Sequence, residues 1–439
     1  MQVSSTHPDY DAAAPQWSRA RDVIAGEDAV KAAGEKYLPR LDSQSEEEYA
    51  AYKARASFFG ATARTLEEYL DLIFRRAPLT SLPSSDVMRG FASDCDRWST
   101  SVAQYARRIV SEVLSVGRAG SLVLWDEAAR RPWVSSWRAE EILNWSVDWI
   151  GQRVVLVGVV LKDAGRLRQV RLEGAECVHE TFVQVDGAWT LEESVALKRD
   201  GVALPFIPFV FHGPRGAMPE LSKLPLADII TANLDHYRLD ADYKHGLHFA
   251  ALPTAWVSGF DKAAPLRIGS STAWVSEVPG ASAGFLEFTG AGLAHLERAM
   301  EKVEGRMSLL GARMLEPTSV GANGVPANGL TAGNGGSADL CGLASIVESL
   351  NGSLTRVLQL AQWWVEGGDL DAQSASFTMN TDLGARAMSG EEITAVVAAW
   401  RSGAISRDSM LERLKRGEVL PDGRSVAQER ALIHRKVGS

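Results

Sequence analysis

The 439-residue chain lacks any apolar run near the roughly 20 residues that a membrane-crossing helix needs, so no membrane partner is expected. Its longest such stretch, residues 153–161 (Arg-Val-Val-Leu-Val-Gly-Val-Val-Leu), is strand-sized. Met1 to Tyr10 is polar and carries no apolar signal core, so secretion is not expected either. Cysteine is scarce: Cys95, Cys177 and Cys341 lie far apart, without CxxC or Cys/His ligand spacing, and read as reduced thiols of a cytosol. Positive charge is also short, with 46 Lys and Arg against 55 Asp and Glu and a formal charge of −9. That balance excludes a generally basic nucleic-acid coat. Missing too are Gly-x-Ser-x-Gly, His-Glu-x-x-His, a Gly-Lys-Ser/Thr phosphate loop and a Gly-x-Gly-x-x-Gly that opens a helix after a strand. The common hydrolase, zincin, ATPase and dinucleotide readings go with them.

What is present is the mixture of a folded chain, 46% hydrophobic and 23% charged, of a length that suggests two to four domains. Residues 1–78 read as helical. The stretch 17–31 is expected to form one helix that stops at Gly34, and a longer one is expected from Asp42 and Ser43 through Ile73 and Phe74. Along that second helix Tyr49, Tyr52, Ala56, Phe59, Ala63, Leu66 and Leu70 recur at helical spacing. Another amphipathic helix is expected between Ser99 and Val116, ended by Gly117. Short Val-, Leu- and Trp-rich segments then follow at 121–125, 133–137, 153–161, 167–172, 176–185 and 188–191, with turns such as Asp186-Gly187. They predict a module of antiparallel hairpins. The proline-studded stretch 204–211 predicts an edge strand, because proline cannot donate to a central ladder.

Farther on, Pro225 starts a helix expected to reach Gly246. An extended piece over 253–259 and strands over 266–268, 273–277 and 284–289 are expected next. Leu293, Leu296, Met300, Val303, Met307, Leu310 and Met314 step by alternate threes and fours, the seam of a long helix suited to packing on a neighbour. Residues 319–337, rich in Gly and Asn, predict a loop. A helix over 338–365, a strand over 375–379 and two or three short helices over 389–436, with Ser389 and Ser406 as starts, complete the pattern.

Few residues invite chemistry. His236, His245 and His248 lie near Asp235, Asp240 and Asp242, yet only 236 and 240 share a helix face, so cap and surface roles are expected rather than a metal site. In Asp94-Cys95-Asp96 the two acids raise a thiol pKa, which favours a structural cysteine over a nucleophile. Glu297, Glu301 and Glu304 stand among Arg298, Lys302, Arg306 and Arg313 as solvated or intersubunit pairs. Thirteen scattered tryptophans suggest core and interface packing. No catalytic residue, cofactor or metal is expected.

One ordered series stands out: His7-Pro8, Tyr10, Trp17, Arg21-Asp22, Gly26-Glu27, Val30-Lys31, Gly34, Tyr37 to Leu41, Tyr49, Tyr52, Arg55-Ala56 and Arg64-Thr65. Further elements are Asn233 to Tyr237, Ala241 to Tyr243, Gly246 to His248, Leu252-Pro253, Gly269 to Trp274, Gly284 to Phe288, Gly290, Leu309 to Ala312, Gly403 to Ser406 and Arg416 to Arg424. Together they resemble a portal-like family of tailed-bacteriophage proteins, over nearly the whole chain, with the Gly-rich segment 319–337 as a departure. The resemblance implies an α+β multidomain portal fold and a non-enzymatic ring of about twelve copies at one capsid vertex. Double-stranded DNA would pass non-specifically through its channel. The implied partners are the terminase large subunit, a head-tail adaptor and the major capsid protein, and the implied location is the virion, after assembly in the host cytoplasm.

Carried onto this chain, the resemblance places an N-terminal wing over 1–221, a stem helix over 222–246 and a clip over 247–262. The wing continues over 263–388 and includes a channel-proximal helix 291–315, and a helical crown takes 389–439. Channel or stem candidates are then Asp228, Asp235, Arg238 and Asp242, and the seam residues Leu293 to Met314 are the subunit-packing candidates. An acidic protomer suits such a conduit, because phosphate contacts would act as a brake on DNA. Another head-neck component or a cytoplasmic hydrolase are the alternative readings.

Overall fold

In the computed structural model the described residues are 3–251, 254–260, 274, 276–286, 290, 292–312, 335–381, 383, 388–417, 419–420 and 426–437. The fold mixes helices with antiparallel sheet, in keeping with the α+β expectation. The chain divides into two compact units, Met1–Arg21 with Arg64–Ala227 and Gly311–Ser439, and Asp22–Ala63 with Asp228–Leu310.

In chain order the first elements are α1 (Pro8–Ala25), α2 (Glu27–Ala32), α3 (Glu46–Arg55), α4 (Ala61–Phe74), β1 (Leu79–Ser81), α5 (Asp86–Ser93) and α6 (Val102–Val116). Capping chemistry fixes several boundaries. Ser45 and Ser101 each close a reciprocal box with Glu48 and Gln104, and Gly117 ends α6 at φ 76°. The cap of α3 is thus Ser45 rather than Asp42 or Ser43. The helix expected to run on to Phe74 is two helices, α3 and α4, with a non-helical interruption between them.

Strands β2 (Ala119–Asp126), β3 (Arg131–Arg138), β4 (Ile142–Ile150), β5 (Arg153–Asp163), β6 (Arg166–Glu173), β7 (Glu176–Val185) and β8 (Ala188–Ala196) follow. β4 to β8 form a five-stranded meander in sequence order. Its β7–β8 turn is the expected Asp186-Gly187, both at positive φ as a primed turn requires. β4 was not among the expected strands. Short strands β9 (Lys198–Arg199) and β10 (Val202–Ala203) pair with each other, and β11 (Phe209–His212) is an edge of a three-stranded sheet ordered β11-β2-β3. Only the last part of the proline-studded stretch is strand, at an edge, as proline dictates. Gly120 admits Phe209 there, since a Cβ would stand 2.3 Å from its ring.

The remainder comprises α7 (Ala227–Ala251), β12 (Thr254–Ser258), β13 (Ser282–Leu286), α8 (Leu293–Ala312), α9 (Gly335–Glu366), β14 (Ser376–Thr378), α10 (Gly390–Arg401), α11 (Arg407–Arg416) and α12 (Val426–Val437). α7 continues past Gly246, where a Cβ would lie 2.8 Å from Leu293. β14 pairs with β1. Ser389 and Ser406 cap α10 and α11, and Val396, Met410, Leu411 and Leu414 form a small core there. The Gly-rich residues 319–334, Arg313, Met314, the expected strand over 266–268, Ala273 and Val275 and the Pro421-Asp422-Gly423 turn lie outside the described residues, and the described residues Trp274, Ser276 and Glu277 are not in a strand.

Candidate assembly surfaces

In the second unit, polar side chains of α7 brace α3 and the interruption between α3 and α4. Asn233 accepts from the Thr62 backbone N–H (3.1 Å) and hydroxyl (2.9 Å), and its amide donates to the Phe59 carbonyl (2.6 Å). Asp240 accepts from the Ser57 N–H at 2.6 Å and pairs with Lys244 at 3.1 Å. Asp242 accepts from the Tyr52 hydroxyl at 2.5 Å. Burial, and then this carboxylate, push the Tyr52 pKa up. The backbone groups that a continuous helix would have paired internally are therefore satisfied by α7 instead. Hydrophobic spacing alone cannot report such a substitution, which is why one helix was expected.

Of the channel candidates, Asp228 is exposed in the first turn of α7 and Asp235 pairs with Arg238 at 3.2 Å. Arg238 also donates to the Tyr37 carbonyl at 2.9 Å. Asp242 belongs to the brace just described. The three histidines do not converge. His236 is buried with Nε2 3.1 Å from Glu304, His245 lies 3.3 Å from Arg55, and His248 packs edge-on to Phe249. Among the described residues no group of three or more His, Cys, Asp or Glu could hold a metal ion.

On α8 the seam is visible in burial. Met307 is buried in a cluster with Ala61 and Ala232, flanked by Val303 and Leu310. Leu293, Leu296 and Met300 are half-buried, whereas Glu297, Glu301 and Glu304 are exposed. Beyond α7, β12 and β13 make a two-stranded ribbon in which Trp256 faces Gly284 and Ala255 faces Phe285. These neighbouring pairs point to opposite faces. Trp256 is 45% exposed and Phe285 56%. Both faces of the ribbon therefore carry an uncovered aromatic ring.

The first unit holds a buried polar relay. The Tyr105 hydroxyl meets Ser121 Oγ at 2.5 Å, Ser121 Oγ meets His212 Nε2 at 2.6 Å, and His212 Nδ1 meets Ser353 Oγ at 2.8 Å. A serine beside a histidine invites a nucleophile reading. Here all four groups are buried, and burial drives the His212 imidazole down to about 3, so it is neutral and structural. Cys95 fits the structural expectation. It is buried, its Sγ lies 3.3 Å from the Thr100 carbonyl, and burial followed by Asp96 pushes its thiol up to about 12. A cavity of about 510 Å³ lies between the β2–β3 face and the β5–β6 turn, lined by Leu122, Leu124, Trp133 and Trp137. Two of its charges, Asp163 and Arg168, pair with each other at 2.6 Å. Arg118 is buried against Trp145 (3.9 Å) and Phe211 (4.6 Å), with no hydrogen-bond acceptor for its guanidinium among the described residues.

Comparison with known proteins gives a limited set of likenesses. A family model described as a domain of unknown function (DUF4055) matches residues 225–365, from the start of α7 through most of α9. No curated protein matches the chain. Among solved structures, the chain is similar to one in the virion of a native gene transfer agent particle, with a TM-score of 0.42 and 14% identity over 91% of this chain and 99% of that one. A chain in the neck of an empty particle of that kind, computed with C6 symmetry, gives 0.40 and 13% over 91% and 99%. One in the neck of a native particle, computed with C12 symmetry, gives 0.40 and 12% over 89% and 99%.

Proposed function

We propose that this protein is a non-enzymatic virion component of the head-neck region, and within it the portal: a ring protomer at one capsid vertex. The ring would conduct double-stranded DNA without gripping it and would dock the terminase large subunit, the head-tail adaptor and the major capsid protein. The observation that carries this reading is the β12–β13 ribbon. An isolated two-stranded ribbon is marginal in water, and one with Trp256 and Phe285 bare on opposite faces has surface to bury on both sides. Copies arranged head-to-tail around a ring would cover both. The ribbon begins in the region 247–262 that the resemblance assigns to the clip, and the half-buried stripe of α8 supplies a second surface for a neighbour.

On this reading Asp228, Asp235 and Asp242 keep the stem acidic, and Asp228, exposed in the first turn of α7, is the position to reverse. Asp228→Lys is expected to slow packaging while rings still form. The deciding experiment is the mass of the purified chain in solution by light scattering or native mass spectrometry. A closed species near twelve times 47.5 kDa is expected. A monomer at every concentration would sink the proposal.

A further inference from the structure

In the β12–β13 ribbon of the second unit Trp256 and Gly284 stand directly opposite, so they share a face. Their contact is closer than opposition requires: a Cβ at position 284 would lie 3.0 Å from Trp256 Nε1, 3.2 Å from Cε2 and 3.3 Å from Cζ2. The indole therefore lies across the glycine, with the backbone as its floor. Gly284 is not held in the left-handed region, so its backbone conformation does not call for glycine. What calls for it is the ring above. Glycine in a strand interior weakens the strand, and here the weakness is kept where a tryptophan needs room. Trp256 is nonetheless 45% exposed. A large aromatic side chain packed on one side and bare on the other has little freedom left to lose on docking, which is the form of an interface anchor.

Charge narrows what can cover it. Neither Thr254–Ser258 nor Ser282–Leu286 carries a charged side chain. A phosphate backbone or a charged protein patch laid on the ribbon would give up water without finding a counter-charge. The surface that suits it is uncharged, and the ribbon's opposite face, with Ala255, Val257, Ala283 and Phe285, is such a surface on every copy.

We propose that Gly284 is a positioning residue for the contact between copies: it seats the Trp256 indole on the ribbon so that the outer side of the ring is presented to the next copy. This rests on the ring reading above and adds to it the residue that prepares the surface. The role has a signature. A strand gains from a β-branched residue, so a position that served only the ribbon's own stability would be improved by valine, whereas a seat would be spoiled by it.

Its test is the concentration at which the full-length chain is half assembled, read by light scattering over a dilution series. Trp256→Ala is expected to raise it about tenfold or more. Gly284→Val, which displaces the indole while favouring the strand, is expected to do the same. Gly284→Ala, which asks the ring to give by a few tenths of an ångström, should raise it about threefold. In the Trp256→Ala background Gly284→Val should change nothing further, because no indole is left to displace. An equal loss in both backgrounds would overturn the proposal, since Gly284 would then act through the ribbon alone. Rings that form at the parent's concentration in Gly284→Val, or in Trp256→Ala, would overturn it too and leave the ring standing. An unsubstituted chain that stays monomeric at every concentration would remove the ring reading and this contact with it.

Discussion

The first unit satisfies its buried polar groups with neutral partners, Tyr105, Ser121, His212 and Ser353, whereas the second ties α7 to the 56–62 interruption through Asn233 and Asp240 and to α3 through Asp242, which accepts from Tyr52. Both arrangements stitch elements distant in sequence. They differ in chemistry: the relay is a chain of neutral groups around a buried imidazole, which adding a proton to its centre would undo, whereas the brace sets side-chain oxygens against backbone N–H groups and hydroxyls. The two units therefore carry different vulnerabilities, although each is held together by the same kind of bond.

The largest effect should come from breaking either stitch at its hub. His212→Ala leaves the Tyr105–Ser121 end without its acceptor or donor and opens a hole, so a loss of about 3 kcal/mol is expected in denaturant unfolding. Asn233→Ala, which strands the Thr62 N–H and the Phe59 carbonyl, should cost the second unit about 2–3 kcal/mol, read by hydrogen exchange at residues 56–62. Equal protection in variant and parent would show that the brace is ornamental.

Acidification sharpens the contrast. The folded His212 stays neutral to about pH 3, while in the unfolded chain it takes up a proton near its ordinary value of about 6.5. Between those values the unfolded state binds more protons, so the first unit should lose about 1.4 kcal/mol per pH unit as pH falls through that window, and keep its full stability above it. His179, lowered to about 4 by burial and then by Arg168, adds in the same direction. His212→Gln should flatten the slope, and an unchanged slope would reassign it to other groups. The smallest expected effect has the opposite sign. Arg118→Met keeps the packing on Trp145 and Phe211 and removes a buried cation that lacks a protein acceptor, so it should stabilise by about 1 kcal/mol in thermal unfolding.

How much of this was legible in the sequence depends on range. Local chemistry carried well. Gly117 ends α6, Ser389 and Ser406 cap their helices, and Asp186-Gly187 turns between β7 and β8. The seam of α8 was also legible, because helical periodicity is a property of one segment: Met307 is buried and the intervening glutamates are exposed. The break at 56–60 was not, since its cause lies on α7, about 175 residues away in the chain. β4 was legible in principle, since Asn144, Ser146 and Asp148 alternate with Leu143, Trp145, Val147 and Trp149 in the two-residue period of a half-buried strand. The relay, like the break, was invisible: no spacing links Ser121 to His212 before the strands pair. The exposed ribbon and Trp256 needed coordinates, because sequence reports that a tryptophan is present and not whether anything covers it.

The bare aromatics of β12 and β13 bear on handling as much as on assembly. A protomer made faster than its companions accumulate would expose sticky edges to whatever else is nearby, so slow expression, dilute lysis or co-production with the proteins it joins should govern how much soluble material is recovered.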